Sequence, residues 1–202
     1  MLQSMLAALD GSAYSASVVD LGIEFARRCH AELVGLGIVD TQALTHPEPV
    51  PLGGSFYKEQ RDALFRAQVQ RQIAQAMADC TARCAEADVR CRVSQTSGHA
   101  HELLCLEGQS HDLIVLGQQT FFQSPLRADD TLQTVLRHTP RPVVAVPQTL
   151  PDDAQTIVIA YDGSLPAART LQAFLALQMH ATQAVHVVCA SPAQETAEEG
   201  IA

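Results

Sequence analysis

One unit occurs twice in this chain, and that repetition restricts the fold more than any other feature. The segment MLAALDGSAYSASVVDLGIEFARRCHAELVGLGIVD runs from Met5 to Asp40, and TIVIAYDGSLPAARTLQAFLALQMHATQAVHVVCASP runs from Thr156 to Pro192. Each is an apolar run, an Asp-Gly-Ser turn, a helical pattern and a second apolar run. Aligned without a gap at an offset of 152 residues, Ala8, Asp10, Gly11, Ser12 and Ala16 match Ala160, Asp162, Gly163, Ser164 and Ala168. Two strands joined by a crossover of this length pair in parallel, with a right-handed connection. The chain therefore holds two copies of a βαβ unit, and the expected fold class is α/β.

Between the copies the pattern continues. Ser4 to Leu9 reads as a buried strand that stops at Asp10-Gly11, and Ser12 is placed to cap a helix from about Ala13 to Cys29. Leu33 to Val39 is the second strand. The loop from Thr41 to Phe56 holds Pro47, Pro49, Pro51 and Gly53-Gly54, and loops of that length are commonly lids or disordered segments. Phe65, Val69, Ile73, Ala76, Cys80 and Cys84 recur every three or four residues, which predicts one long helix from about Tyr57 to Ala87. Val89 to Gln95 reads as a strand and His99 to Gly108 as a helix with Leu103, Leu104 and Leu106 inward. Leu113 to Leu116 is a central strand ending at Gly117. Asp130 to His138 is a short helix with Leu132, Val135 and Leu136, and Pro142 to Val146 is a proline-flanked edge strand. Five strands with helices between them make a doubly wound five-stranded parallel sheet over residues 1–147, with ligand sites at the carboxyl ends of the strands. A linker (148–155), a partial second repeat (156–192) and a short acidic tail (193–202) follow.

Charge excludes several functions. The net charge is −9 and Lys58 is the single lysine, so the clustered positive charge that nucleic acid or anionic lipid requires is missing. No signal peptide and no apolar run of membrane-spanning length is visible, and a cytoplasmic protein is expected. Six cysteines then read as reduced thiols rather than a disulfide framework. Cys80 and Cys84 lie four apart on one helix face, which suits two metal ligands, but they also continue the apolar stripe. The stripe is the reading adopted, and no metal is expected.

Five pieces in order carry a family resemblance: Asp10-Gly11-Ser12; Gly37-Ile38-Val39-Asp40; Ser97-Gly98 before a helix; His111-Asp112-Leu113-Ile114-Val115-Leu116-Gly117; and Leu136-Arg137-His138-Thr139-Pro140-Arg141-Pro142-Val143-Val144. The chain resembles the universal stress protein family, with a complete domain from Leu2 to Pro147 and the start of a second from Thr156 to Pro192. The resemblance implies a Rossmann-like, adenine-nucleotide-related fold used in stress responses, often as a dimer, and no defined enzyme activity. It also assigns Asp10, with the backbone near Val39, to the nucleoside end of a site; a turn-stabilising role is the other reading of Asp10.

The same resemblance makes the departures informative. ATP-binding members carry a glycine, two residues, a second glycine, nine residues, and then glycine followed by serine or threonine. Here Gly117 is kept, while Thr120 and Asp130-Thr131 replace the rest. A carboxylate about 6 to 8 Å from a phosphate charge costs roughly 2 to 3 kcal/mol at an effective dielectric of about 20. Asp129 or Asp130 is thus expected to supply the negative charge that phosphate supplies in ATP-binding relatives, or to act as an ordinary N-cap; both readings give weak ATP affinity. The vestigial site comprises Asp10, Gly11, Ser12, Val39, Gly117, Thr120, Asp130 and Thr131. No cofactor is expected, with ATP or another adenine nucleotide as the alternative. His99 and His101, at a helix start beside the same edge, are read as surface histidines, with a ligand contact as the alternative, and Phe121 and Phe122 of the altered loop are expected to fill vacated pocket space, to meet a partner or simply to pack. Asp162 lacks a glycine-loop counterpart and is not expected to bind.

Enzyme readings find little support. Lys58 has no Walker neighbours, and no triple-glycine fingerprint follows the first strand. A phosphate-receiver domain needs an aspartate where Gln95-Thr96-Ser97 stand and a lysine where Pro147-Gln148-Thr149 stand. The expected function is a non-catalytic regulatory or scaffold module; the alternative is a switch retaining weak adenine-nucleotide binding. The half-repeat cannot bury its faces alone, so it is expected to dock on the first domain or a second chain. A homodimer through Val143–Val146 or through the half-repeat is expected, along with a protein partner that the sequence does not name.

Overall fold

The computed structural model describes residues 2–40, 55–124, 126–151, 155–177 and 183–189. Residues 41–54 of the expected loop, much of the half-repeat's second connection and the acidic tail lie outside them. The chain divides into two compact units, 3–150 and 151–202 with the first two residues.

In the larger unit the elements alternate: β1 (Ser4–Leu9), α1 (Tyr14–Cys29), β2 (Glu32–Val39), α2 (Ser55–Glu86), β3 (Cys91–Ser97), α3 (Ala100–Gly108), β4 (Leu113–Gly117), α4 (Thr131–His138) and β5 (Val143–Val146). All four strand pairs are parallel, in the order β3-β2-β1-β4-β5. The order reverses between β1 and β4, so a crevice opens at their carboxyl ends. Asp10 and Gly117 are at that point.

Strand alternation divides the core into two layers. Leu6, Ala8, Val34, Leu36, Ile38, Ile114 and Leu116 face α3 and α4, where Ala100, Leu104, Phe122 and Val135 complete one cluster. On the other face α1 packs on β1 and β4, and α2 packs on β2 and β3. Glycine lets α2 come close: a Cβ at Gly37 would lie 2.5 Å from the Ile73 side chain and 2.7 Å from the Met77 sulfur. Among the described residues, no helix is long and apolar enough to cross a membrane.

Some expectations need correction. The third strand begins at Cys91 rather than Val89, because Asp88 takes a left-handed φ of 55° and Val89 N–H bonds back to the Cys84 carbonyl at 2.9 Å. Leu106 is 61% exposed rather than inward, and Leu136 of α4 is 54% exposed. Each is off the buried stripe: Ala100 and Leu104 define that of α3, and Thr131 and Val135 that of α4. Ser55 and Phe56 belong to α2 rather than to a loop.

The smaller unit holds β6 (Thr156–Tyr161), α5 (Leu165–Ala176) and β7 (Ala184–Cys189), with β6 and β7 parallel. Its turn repeats the first: Ser12 N–H meets Asp10 Oδ1 at 2.9 Å, and Ser164 N–H meets Asp162 Oδ1 at 2.9 Å. Gly11 and Gly163 have φ of 74° and 76°. Surroundings differ, since a Cβ at Gly11 would strike Gln72 of α2 at 2.8 Å and one at Gly163 would meet nothing within 4 Å among the described residues.

Candidate functional site

Asp10 ends β1 and uses both carboxylate oxygens. Oδ1 accepts from Ser12 N–H at 2.9 Å and Ser15 Oγ at 3.0 Å, while Oδ2 accepts from Phe121 N–H at 2.8 Å. The side chain thus closes its own turn and ties β1 to the loop between β4 and α4. Ser12 is a step early for the cap expected of it: its hydroxyl accepts from Tyr14 N–H at 3.2 Å, and Ala13 is the N-cap.

Gly117 is buried under Tyr14. A Cβ there would lie 2.7 Å from the Tyr14 Cβ and 2.6 Å from the Gln119 carbonyl oxygen. Tyr14 in turn stacks on Phe121, with ring centroids 6.2 Å apart. Phe122 points the other way, into the core, and is 2% exposed. The two aromatics therefore pack on opposite sides of the loop.

The loop between β4 and α4 is closed by Asp129. Asp129 and Thr120 form an antiparallel bridge, with Asp129 N–H donating to the Thr120 carbonyl at 2.8 Å. The Asp129 carboxylate accepts from Thr120 Oγ1 at 2.5 Å, Gln123 N–H at 3.0 Å and Thr131 N–H at 3.0 Å. Three donors converge on one carboxylate at the start of α4, where the helix dipole favours negative charge. Asp130 is the N-cap residue by position, but its side chain makes no cap hydrogen bond. Thr131 is buried, and its Oγ1 has no partner among the described residues. Asp129, which was absent from the expected site, takes the place expected of Asp130; the discriminating signal is the spacing, since an aspartate two residues before Thr131 forms an Asx turn onto that N–H.

Val39 lies apart from this loop. Its side chain packs with Val69 and Ile73 of α2, and its carbonyl accepts from Gly98 N–H at 3.1 Å. Asp40, a residue the sequence did not single out as a site, is 2% exposed and accepts from Ala100 N–H at 3.4 Å, which satisfies the start of α3. The His99 and His101 rings lie 5.8 Å apart beside that start. The structure thus brings Asp10, Gly117, Thr120, Asp129 and Thr131 together around one loop, and sets Val39 to the α2 side. A separate groove of about 340 Å³ runs between α1 and α2, lined by Gly11, Ser12, Ala16, Gln72, Asp79 and Arg83 among others. Arg83 closes its far end, paired with Asp20 and donating to the Ala16 carbonyl at 3.2 Å.

The model of the universal stress protein family matches residues 1–147. No curated protein matches the sequence. Among solved structures, a universal stress protein from Archaeoglobus fulgidus DSM 4304 aligns with a TM-score of 0.63 and 15% identity, covering 98% of this chain and 71% of that one. The hypothetical protein MJ0577 aligns with a TM-score of 0.52 and 12% identity, covering 73% of this chain and 96% of that one. A universal stress protein family protein from Arabidopsis thaliana, solved with AMP bound, gives 0.48 and 13%, covering 75% and 97%. At these identities the likeness is one of fold.

Proposed function

This chain belongs to the universal stress protein family over residues 1–147, and from that premise we propose that it acts as a non-catalytic regulatory or scaffold module whose phosphate-binding loop is closed by its own carboxylate. The observation that carries the reading is Asp129, which holds Thr120 Oγ1, Gln123 N–H and Thr131 N–H. Those are donors of the kind that receive a phosphate at a helix start. With them committed, an incoming triphosphate must displace an internal carboxylate or sit beside it. Adding the loss of two of the three glycines that ATP-binding members carry, affinity falls by about two decades or more. Asp10 is committed likewise, since its carboxylate holds the loop through Phe121 N–H.

The remaining surfaces then carry the function, in the cytoplasm and through protein contacts. The outer edge of β5 is unpaired among the described residues, which supports a homodimer formed along it. The matching Asx turns and left-handed glycines of the two units support reading 156–192 as the opening of a second domain of the same kind. The test is nucleotide content and binding. The purified protein is denatured and the supernatant examined for adenine absorbance; ATP, ADP and AMP are then titrated with and without magnesium. Absence of bound adenine and no saturable binding at millimolar nucleotide are expected. A micromolar complex would overturn the reading in favour of an adenine-nucleotide switch.

A further inference from the structure

We propose that Cys80, Cys84 and Cys91 form a three-sulfur site for a trivalent, thiophilic species of the arsenite class, away from the loop at Asp129. The three Sγ atoms all lie within 4.8 Å of one another, and Cys80 and Cys91 are 3.8 Å apart. A pyramidal trivalent centre with bonds of about 2.3 Å to sulfur places the sulfurs roughly 3.3 to 3.6 Å apart, so the thiols close in by about 1 Å at most. The sequence alone showed only Cys80 and Cys84, one turn apart on α2. The third thiol arrives through the connection: α2 ends at Glu86, Asp88 turns the chain in the left-handed region, and Cys91 opens β3. Cys91 is in register with Leu33 of β2, and Cys80 lies over Gly35 of the same strand, where a Cβ would be 3.3 Å from its sulfur. Backbone on both sides therefore fixes all three positions.

Burial decides the class of ligand. Cys80 and Cys84 are 0% exposed, and half-buried Cys91 gives the way in. A net charge in such a place is expensive unless paired. Three thiolates around a divalent metal leave one negative charge, and zinc also seeks a fourth ligand; no other histidine, cysteine or carboxylate joins the group among the described residues. Around monovalent copper they leave two negative charges. A trivalent centre leaves none. The reaction balances without an oxidant: As(OH)3 and three thiols give As(SR)3 and three waters, with three As–O and three S–H bonds broken, three As–S bonds formed, and each proton leaving on a hydroxide.

The full-length reduced protein is titrated with sodium arsenite, followed by the ultraviolet absorption of As–S bonds, and the loaded protein is examined by X-ray absorption. One equivalent per chain with three sulfur neighbours is expected, together with a rise in Tm. Cys91→Ser, at a half-buried strand start, is expected to keep the native circular dichroism and to weaken binding about tenfold or more; Cys84→Ala serves as the second variant, and Cys189→Ser should change nothing. Two-sulfur coordination, or binding that survives Cys91→Ser, would overturn the site. Tighter binding of zinc or monovalent copper by the same three thiols would overturn the trivalent assignment.

Discussion

Asp10 and Asp129 hold the loop between β4 and α4 from two sides, and each works by accepting from several donors at once. Removing such an acceptor leaves half-buried donors without partners, at about 1–3 kcal/mol. Asp10→Ala is therefore expected to lower unfolding stability by about 2 kcal/mol in urea titration, with Asp10→Asn recovering part of it; an unchanged midpoint would contradict the tie to Phe121. The two turn glycines differ in a measurable way. Gly163→Ala meets only the left-handed strain of roughly 1–2 kcal/mol, whereas Gly11→Ala must also displace Gln72 of α2, so Gly11→Ala should lower Tm further. His111 is a third case. Burial, and then the charge of Arg92, hold its pKa below the usual histidine value, and its Nδ1 lies 2.6 Å from Ser4 Oγ. The unfolded chain takes up that proton at about 6.5 and the folded one only lower, so the contribution is whole above about pH 6.5 and is lost as pH falls from there through the folded value. A Tm that falls between pH 6.5 and 5 in the native protein, and less in His111→Gln, is the expected result.

At the scale of elements, the sheet was readable because buried parallel strands are continuous apolar runs, as in Leu113–Leu116. The start of β3 was not readable, because the apolar Val89 serves a helix C-terminal turn rather than the ladder. Leu106 shows a second limit: three leucines within four residues cannot all face one way on a helix, and only packing against the sheet selects Leu104. Leu104→Ala should accordingly cost about 2–5 kcal/mol and Leu106→Ala well under 1 kcal/mol. The loop was legible as a departure from the family's glycines, but not in its bonding, since two adjacent aspartates look alike until the Thr120 bridge is formed. β5 carries the proposed dimer edge. The Pro142 and Val146 carbonyls accept from the N–H groups of Ile114 and Gln118, so alternation turns the N–H of Val143 and Ala145 outward. Ala145→Pro removes an outward donor and spares the inner ladder; sedimentation should show a dimer become a monomer, and a monomeric native protein would contradict the edge contact.

For the whole molecule, the family fold is retained, the loop between β4 and α4 is closed by the Asp129 carboxylate, and the three thiols of α2 and β3 lie on a different part of the sheet. The most direct test of that account is to free the loop. In a chain carrying Asp129→Gly and Asp130→Ser, with folding checked by circular dichroism, ATP affinity is measured beside that of the native protein. Binding in the variant is expected to be about two decades tighter than in the native chain. Equal affinity in both, whether strong or absent, would contradict the claim that the Asp129 carboxylate closes the site.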